Sequence, residues 1–198
     1  MPESRDPAVM QDLESELVEG CRSGSTPAFE KLYALQGARM KSVAFNILRN
    51  THDAEDAVQN AFLNIYRNAR GFRGKSAFST WTFRILINTC RDLMRTRTRR
   101  NPEVAYELAD TATGRIEPVP RTDHPLRLAL ESSLQKLSER RRVVFLLFEV
   151  EGFRHREIAE ILRIPEGTSK TLLFEAKREL QRLLWDHAAQ PERCGYES

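Results

Sequence analysis

The sequence predicts an all-α protein in which two small helical domains are joined by a flexible linker. Apolar residues recur at spacings of three and four over most of the 198 residues, which is the period of an amphipathic helix. The period fails between Thr98 and about Pro125, in a segment with four prolines, and then resumes. The expected ranges are an amino-terminal segment with a short helix at 1–24, a first domain at 25–98, a linker at 99–125, a second domain at 126–185 and a tail at 186–198.

Four helices are predicted before the linker. They cover Asp12 to Arg22, residues 27 to 48, Asp53 to about Ala69, and residues 76 to 98. Thr26 can cap the second helix, and Pro27 suits its first turn because a proline there loses no helical hydrogen bond. Ser76 is a plausible cap for the fourth helix. Tyr33 and Tyr66 are expected on the inward faces of the second and third helices.

The fourth predicted helix has two distinct faces. Its inward face is apolar or small and consists of Phe78, Trp81, Thr82, Ile85, Leu86, Thr89, Cys90 and Leu93. A second ridge of the same helix carries Arg84, Asn88, Arg91 and Arg95. Many arginine-bearing helices present such a ridge only to solvent, and this helix by itself leaves that alternative open.

The positive charge of the chain is concentrated in one stretch. The net charge is only +3, and the first twenty residues are acidic. Arg84 to Arg100, in contrast, contains six arginines and the single acid Asp92. A local basic stripe is the usual footprint of phosphate binding, so the distribution of charge favours a nucleic-acid partner more than the total does.

The chain lacks the sequence features of membrane, secreted and catalytic proteins. No apolar run approaches the roughly 20 residues that span a bilayer, and the amino end has no signal core, so we expect a cytoplasmic protein. Cys21, Cys90 and Cys194 fit reduced thiols, and the sequence assigns them no role. The four histidines are scattered, without a catalytic triad, metal cluster or Gly-rich phosphate loop. We predict no enzyme activity, no cofactor and no bound metal.

A helix-turn-helix is predicted in the second domain. A short helix at about 154 to 162 is followed by a break at Arg163 to Gly167 and a longer helix from Thr168. In such a motif the second helix inserts its first turns into a major groove of DNA. The outward ridge of that helix comprises Lys170, Thr171, Phe174, Glu175 and Arg178. Phe174 could contact a thymine methyl group or cover a neighbouring helix, and both interpretations stay open.

Two sequence blocks together resemble the extracytoplasmic-function (ECF) sigma factors of the sigma-70 family, the dissociable promoter-recognition subunits of bacterial RNA polymerase. The first block is DAEDAVQNAFLNIYRNARGFRGKSAFSTWTFRILINTCRDLMR, and the second is EVEGFRHREIAEILRIPEGTSKTLLFEAKREL. The resemblance implies that the first domain is sigma2 and the second is sigma4. A lone helix-turn-helix would be weak support, whereas both blocks in this order, separated by a linker, are a specific pattern.

The resemblance implies three sets of functional residues. Docking on the beta-prime clamp helices of the polymerase would use Asp53, Glu55, Asp56, Gln59, Asn60 and Phe62. The carboxylates are also explained as acids that the helix dipole favours in a first turn, and Asp53 in particular can help the helix begin. Capture of the unpaired minus-10 strand would use Arg73, Lys75, Ser76, Phe78, Ser79, Thr80, Arg84, Asn88, Arg91 and Arg95. Trp81 could pack in the core, which is the favoured interpretation, or serve as a platform on which a base stacks. Reading of the minus-35 element would use Thr168, Lys170, Thr171, Phe174, Glu175 and Arg178.

The partners implied by the resemblance are core RNA polymerase, through its beta-prime clamp helices and beta flap, promoter DNA and an anti-sigma factor. No membrane insertion and no small-molecule substrate are expected. The alternative is a stand-alone helix-turn-helix regulator that binds duplex operator DNA without polymerase. The arginine ridge and the preceding stretch FRGKSAFSTW distinguish the two, because a sensing domain requires neither.

Several positions depart from the family pattern. The turn residue is Arg163 where glycine is common, and a left-handed backbone at a non-glycine residue costs on the order of 1 kcal/mol. Arg154 stands at a position where a Ser or Thr cap is common. Glu175 and Lys75 each reverse a common charge, so the promoter sequences recognised stay open.

Overall fold

The structure is a computed structural model that describes residues 7–100 and 125–188. The described residues are helical with short connections, and no strand occurs among them, which confirms the predicted all-α class. The chain divides into two compact units, residues 1–94 and 95–198. Most of the predicted linker, residues 101–124, and most of the predicted tail, residues 189–198, lie outside the described residues.

The first unit is built from four helices. They are α1 (Pro7–Ser23), α2 (Thr26–Leu48), α3 (Thr51–Asn68) and α4 (Phe78–Arg100), with a 3-10 turn at Ala69–Gly71 after α3. The first helix therefore begins five residues before the predicted Asp12. It packs closely on α2, since a Cβ added at Gly20 would lie 2.7 Å from the Cβ of Ala28.

The helix starts in this unit differ from those predicted. Ser25, not Thr26, is the residue that precedes α2, and Thr26 and Pro27 are its first two helical residues. Asn50 precedes α3, and its Oδ1 accepts a hydrogen bond from the backbone N–H of Asp53 at 3.0 Å. The prediction that Ser76 caps α4 was wrong, because the carbonyl of Ala77 accepts the first helical bond, from Trp81 N–H at 3.1 Å.

The buried face of α4 is rotated from the predicted one. Phe83 and Ile87 were not predicted to be inward, yet both are fully buried beside Leu86 and Cys90. The predicted inward residues Ile85, Thr89 and Leu93 are only half-buried. The large Phe83 ring takes the centre of the stripe, because burial of an aromatic side chain removes more apolar surface from water than burial of a threonine.

The second unit places a long helix against three shorter segments. Its helices are α5 (Pro125–Lys136), α6 (Glu139–Phe145), which continues as a π-helical segment at Leu146–Val150, α7 (His155–Leu162) and α8 (Glu166–Ala188). Ala176 and Leu180 of α8 pack with Leu137, which follows α5. Buried Arg142 donates a hydrogen bond to the carbonyl oxygen of Leu137 at 3.0 Å. Its positive charge therefore lies at the carboxyl end of α5, where the helix dipole favours a cation.

A short turn joins α7 to α8 as a helix-turn-helix. Arg163 has φ 57° and ψ 51°, so the turn adopts the left-handed conformation expected where glycine is common. At the other end of α7, the carboxylate of Glu157 accepts the backbone N–H of Arg154 at 2.8 Å. The Arg154 side chain has no acceptor to offer in return, so this cap works in one direction.

Candidate polymerase and nucleic-acid interfaces

The arginine ridge of α4 is accessible along its length. Arg84, Asn88 and Arg91 are half-buried and Arg95 is exposed. Two further exposed arginines follow on the last turns of α4: Arg99 continues the ridge four residues after Arg95, whereas Arg97 lies on another face.

An exposed basic loop precedes the ridge. Arg73 and Lys75 are exposed and Ser76 is half-buried, while Gly74 between them has φ 66°. Such a backbone conformation is easy for glycine, so it lets the loop reverse direction between two cationic side chains. Ser79, on the first turn of α4, is half-buried.

Three aromatic rings that flank this loop in the sequence pack against one another. The centroids of Phe72 and Phe78 lie 5.1 Å apart, and those of Phe78 and Trp81 lie 5.4 Å apart with the rings inclined at 23°. Phe72 also contacts Trp81, at 5.3 Å. Trp81 therefore packs in an aromatic cluster, but it is half-buried and part of its indole stays accessible.

Two residues predicted to shape the base pocket are buried. Phe78 is 3% exposed and Thr80 is fully buried, so neither offers a surface to DNA in this conformation. The sequence could not show this, because the side of α4 that faces the core depends on how the helix is rotated against α2 and α3. These two side chains support the loop from within the first unit.

A buried hydrogen bond fixes the start of α4 to α2. The hydroxyl of Thr82 lies 2.7 Å from Oε1 of Gln36 and 2.9 Å from the carbonyl oxygen of Ser79. Both Gln36 and Thr82 are buried, and a buried polar pair of this kind is directional where apolar packing is not. The loop and the arginine ridge are thereby held in one orientation relative to α2.

The predicted docking face of α3 is polar and partly committed to contacts within the unit. Gln59 and Asn60 are exposed, and Asp53 is half-buried. Glu55 accepts a hydrogen bond from Nζ of Lys41 at 2.5 Å, and this contact lowers the pKa of the Glu55 carboxyl below its usual value. Asp56 lies 3.3 Å from Nδ1 of His52, one turn earlier.

An aromatic seam lies where α2 meets α3, and it comprises Phe29, Tyr33, Phe62 and Tyr66. The rings of Tyr33 and Phe62 meet edge to face at 5.0 Å, and those of Phe29 and Tyr66 lie 4.8 Å apart. Tyr33 is 56% exposed and Tyr66 is 53% exposed, so the prediction that both turn inward was wrong. The seam places exposed ring surface beside the polar residues of α3.

The outer face of α8 is open to solvent in the described part of the chain. Thr168, Lys170, Thr171 and Arg178 are exposed. Phe174 is 62% exposed, with the Arg178 guanidinium 5.7 Å from the centre of its ring. This ring is therefore accessible to a partner and is not buried against a neighbouring helix.

Glu175 differs from the other predicted minus-35 residues because its carboxylate is already bound. Nε of Arg141, on α6, donates to Oε2 of Glu175 at 3.0 Å. The same guanidinium donates from Nη1 to Glu179 at 2.8 Å. Glu175 is half-buried between the two helices, so the expectation that it faces the bases does not fit its position.

The amino end of α8 is anchored on α7. Ser169 is fully buried, and its Oγ lies 3.0 Å from Nδ1 of His155 at the start of α7. The His155 ring also stacks on Phe148 of the π-helical segment, with centroids 4.6 Å apart. These contacts hold the first turn of the recognition helix against the rest of the motif.

Within the described residues, no group of three or more His, Cys, Asp or Glu side chains is arranged to hold a metal ion. None of the helices in this described part of the chain is both long and apolar enough to cross a membrane. Cys21 and Cys90 are both buried as free thiols, and burial raises the pKa of Cys21 to about 11.

Comparison with known families gives two matches in chain order. Residues 32–100 match the family described as Sigma-70 region 2, and residues 127–180 match Sigma-70, region 4. The first match contains the polar face of α3, the loop and the arginine ridge. The second contains the helix-turn-helix.

Individual proteins are similar over most of the chain. An RNA polymerase sigma-H factor from Pseudomonas aeruginosa is 31% identical over 89% of this chain and 96% of its own. The ECF RNA polymerase sigma factor SigM of Mycobacterium tuberculosis is 30% identical over 86% of this chain and 84% of its own. Among solved structures, the sigma factor RpoE in complex with the anti-sigma factor NepR, from Bartonella quintana, matches with a TM-score of 0.68 and 25% identity, over 79% of this chain and 96% of that one.

Proposed function

The chain belongs to the sigma-70 family as an ECF sigma factor, a promoter-specificity subunit of bacterial RNA polymerase, and from that premise we propose which of its surfaces perform each step of initiation. The observation that carries the proposal is the presence in one chain of an accessible arginine ridge beside a basic loop and an open recognition helix. A regulator that binds only duplex DNA needs the second surface but not the first.

The polar face of α3 and the aromatic seam dock on the beta-prime clamp helices. Gln59 and Asn60 are exposed beside Phe62, and the seam adds the accessible rings of Tyr33 and Tyr66. Aromatic rings next to polar groups are typical of interface centres, because they bury much surface at little cost in side-chain entropy. Glu55 and Asp56 are less available for direct contacts with the polymerase, since Lys41 and His52 already pair with their carboxylates.

The loop and the arginine ridge receive the minus-10 element. Opening of the duplex requires a place for unstacked bases, and contacts on protein must replace the stacking that is lost. Arg73, Lys75, Ser76 and Ser79 border the base pocket, while Arg84, Asn88, Arg91 and Arg95 hold the phosphate backbone and upstream duplex. Phe78 and Thr80 are buried, and they position the loop and the arginine ridge through contacts within the protein.

The exposed face of α8 reads the minus-35 duplex. Lys170 and Thr168 suit phosphate contacts, whereas Thr171, Phe174 and Arg178 are exposed on the same helix and suit contacts to base edges. The chain acts without chemistry of its own, so we propose that it is not an enzyme. As a polymerase subunit it works in the cytoplasm, and an anti-sigma factor is a further partner, as in the solved complex of the related RpoE.

Reconstituted transcription tests this proposal. Core RNA polymerase is assayed on a promoter library with and without the purified protein. We expect the protein to give initiation at a defined set of promoters with common minus-35 and minus-10 elements, and to bind the same DNA only weakly by itself. No gain in promoter selectivity would refute the proposal, and tight sequence-specific binding without polymerase would favour the stand-alone regulator.

The role of the ridge is tested separately. Arg84→Ala with Arg91→Ala should impair strand opening, measured with a fluorescent base analogue in the minus-10 element, more than it impairs association with core polymerase. Arg22→Ala with Arg97→Ala removes the same charge from exposed positions off the ridge and serves as the control. An equal loss of opening and association in the ridge variant would mean that the ridge is structural.

A further inference from the structure

One arginine connects α6 to two successive turns of the recognition helix. Arg141 donates from Nε to Glu175 at 3.0 Å and from Nη1 to Glu179 at 2.8 Å. We call these three residues the arginine clasp. The hydrogen bond to Glu175 is the largest of the contacts that raise the pKa of Arg141 above its usual value. A guanidinium suits this task because its donors are fixed in a planar fork, whereas a lysine offers a single point charge.

Glu175 lies at the border of the surface that faces DNA. It follows Thr171 by four residues and precedes Arg178 by three, so all three are neighbours on the surface of α8. Thr171 and Arg178 are exposed, while Glu175 is half-buried toward α6. A carboxylate released at this position would repel the phosphates and could accept a hydrogen bond from the amine of cytosine.

We propose that Arg141 is a positioning residue for minus-35 recognition, which holds the Glu175 carboxylate against α6 and away from the bases. This inference rests on the function proposed above and refines it. The base-facing set then consists of Thr171, Phe174 and Arg178, and the acid of the recognition helix takes no part in reading. Glu179 completes the clasp by fixing the second arm of the guanidinium.

The clasp therefore sets base preference as well as helix packing. Loss of Arg141 releases the Glu175 carboxylate from α6. The resulting change in minus-35 base preference occurs only if residue 175 still carries its negative charge. A clasp that only stabilised α8 would behave differently, because its loss would weaken binding to all minus-35 sequences by a similar factor. The dependence of one substitution on the other separates these two roles.

The experiment measures minus-35 base preference for holoenzyme reconstituted with each variant, using a promoter library randomised at the minus-35 element. The variants are Arg141→Gln, Glu175→Gln and the double substitution. Arg141→Gln should shift preference at one or more positions by at least about 5-fold, the lower end of the discrimination from one side-chain contact to a base. Glu175→Gln should leave the wild-type preference unchanged, and the double variant should match it.

Lys177→Gln is the matched control. Nζ of Lys177 pairs with Glu149 at 2.6 Å, so this pair also joins the segment after α6 to α8, but it does not involve the Glu175 carboxylate. Its loss should leave base preference unchanged. The same shift in this control would assign the effect to general loosening of α8 and would overturn the inference.

Other outcomes also overturn it. These are an unchanged preference in Arg141→Gln, a uniform loss across all sequences, or a shift that persists when Glu175 is also replaced. A changed preference in Glu175→Gln alone would mean that this carboxylate already reads bases in the wild-type protein. If the wild-type holoenzyme shows no minus-35 selectivity, the proposed function fails and the inference fails with it. If wild-type selectivity is present, these outcomes refute the inference alone.

Discussion

Individual residues with a left-handed backbone mark the ends of several helices. Arg49 after α2 and Arg163 after α7 have positive φ without being glycine, whereas Gly24, Gly74 and Gly152 have it as glycines. At such a position the Cβ atom comes too close to the following carbonyl oxygen, at a cost of about 1 kcal/mol. The helix-turn-helix keeps this strain at Arg163, whose side chain is exposed and gains no buried contact in return.

We expect Arg163→Gly to raise the free energy of unfolding of the second unit by up to about 1 kcal/mol, because relief of strain exceeds the added freedom of the unfolded chain. Gly152→Ala should lower it by about 1 kcal/mol, since a Cβ there has open space but an unfavourable φ of 75°. Gly167→Ala is the control, because this glycine has open space and no positive φ and lies in the first turn of α8; the change should leave the free energy of unfolding equal or raise it. Denaturant unfolding followed by helical circular dichroism measures all three, and destabilisation by Arg163→Gly would contradict the account.

Cys21 should be almost inert to alkylation in the folded protein at neutral pH. It is 1% exposed, and burial raises its pKa to about 11, so the reactive thiolate is scarce. Iodoacetamide labelling followed by peptide mass spectrometry measures this, with denatured protein as the control. Rapid labelling of folded protein would show that the thiol is accessible.

The same shift of the Cys21 pKa predicts how stability depends on pH. The unfolded thiol has its ordinary pKa of 9.0 and the folded thiol a pKa of about 11, so the unfolded state binds fewer protons between these values. The contribution of Cys21 to stability is therefore complete below pH 9 and is lost as the pH rises through 11. Cys21→Ala should lose less stability over this interval than the wild type, and equal losses would contradict the prediction.

At the scale of helices, orientation depends on a few directional contacts. The bond between Gln36 and Thr82 joins residues 46 positions apart and fixes the first turns of α4 on α2. The pair of His155 and Ser169 does the same for α8 on α7. Each contact lies beneath a proposed DNA-binding surface, so the apolar core supplies most of the stability and these polar contacts select the rotation of the helix.

Thr82→Val should lower the free energy of unfolding of the first unit by about 1–3 kcal/mol, because it leaves Oε1 of Gln36 buried without this donor. Gln36→Leu combined with Thr82→Val should cost less than the sum of the two single changes, since neither polar group is then stranded. Trp81 fluorescence follows the transition, because this indole packs in the first unit. Additive losses would mean that the two side chains do not interact.

At the scale of the whole molecule, the proposed tasks lie on different compact units. The docking face and the ridge residues Arg84, Asn88 and Arg91 belong to the first unit, and the recognition helix belongs to the second. Substitutions on one unit should therefore change one step of initiation and leave the other intact.

Phe62→Ala with Tyr66→Ala should weaken association with core polymerase by about 10-fold or more, as truncation of interface aromatics commonly does. The two changes should leave minus-35 preference unaltered in the complexes that form. Leu35→Ala is the control, because Leu35 is exposed on α2 but stands two residues after Tyr33 and so lies on another face. A competition assay for core enzyme measures the effect, and equal losses in the control would argue against the aromatic seam.

Much of this protein follows from local sequence. The period of apolar residues predicted the all-α class and the helices within a few residues, since amphipathic spacing reports which residues need burial. The two sequence blocks predicted the family. The family pattern, in which glycine is common at the position of Arg163, predicted the left-handed turn that is observed. The arginine ridge was also predicted, because its charges recur at the helical period.

Tertiary structure decided which of the predicted side chains are exposed and can contact a partner. Phe78 and Thr80 are buried, while Tyr33 and Tyr66 are exposed, because the faces of two helices compete for one core. Glu175 is held by Arg141, which lies 34 residues earlier in the chain. Spacing along one helix states which residues share a face, but only packing against the other helices determines whether that face meets protein, solvent or a partner.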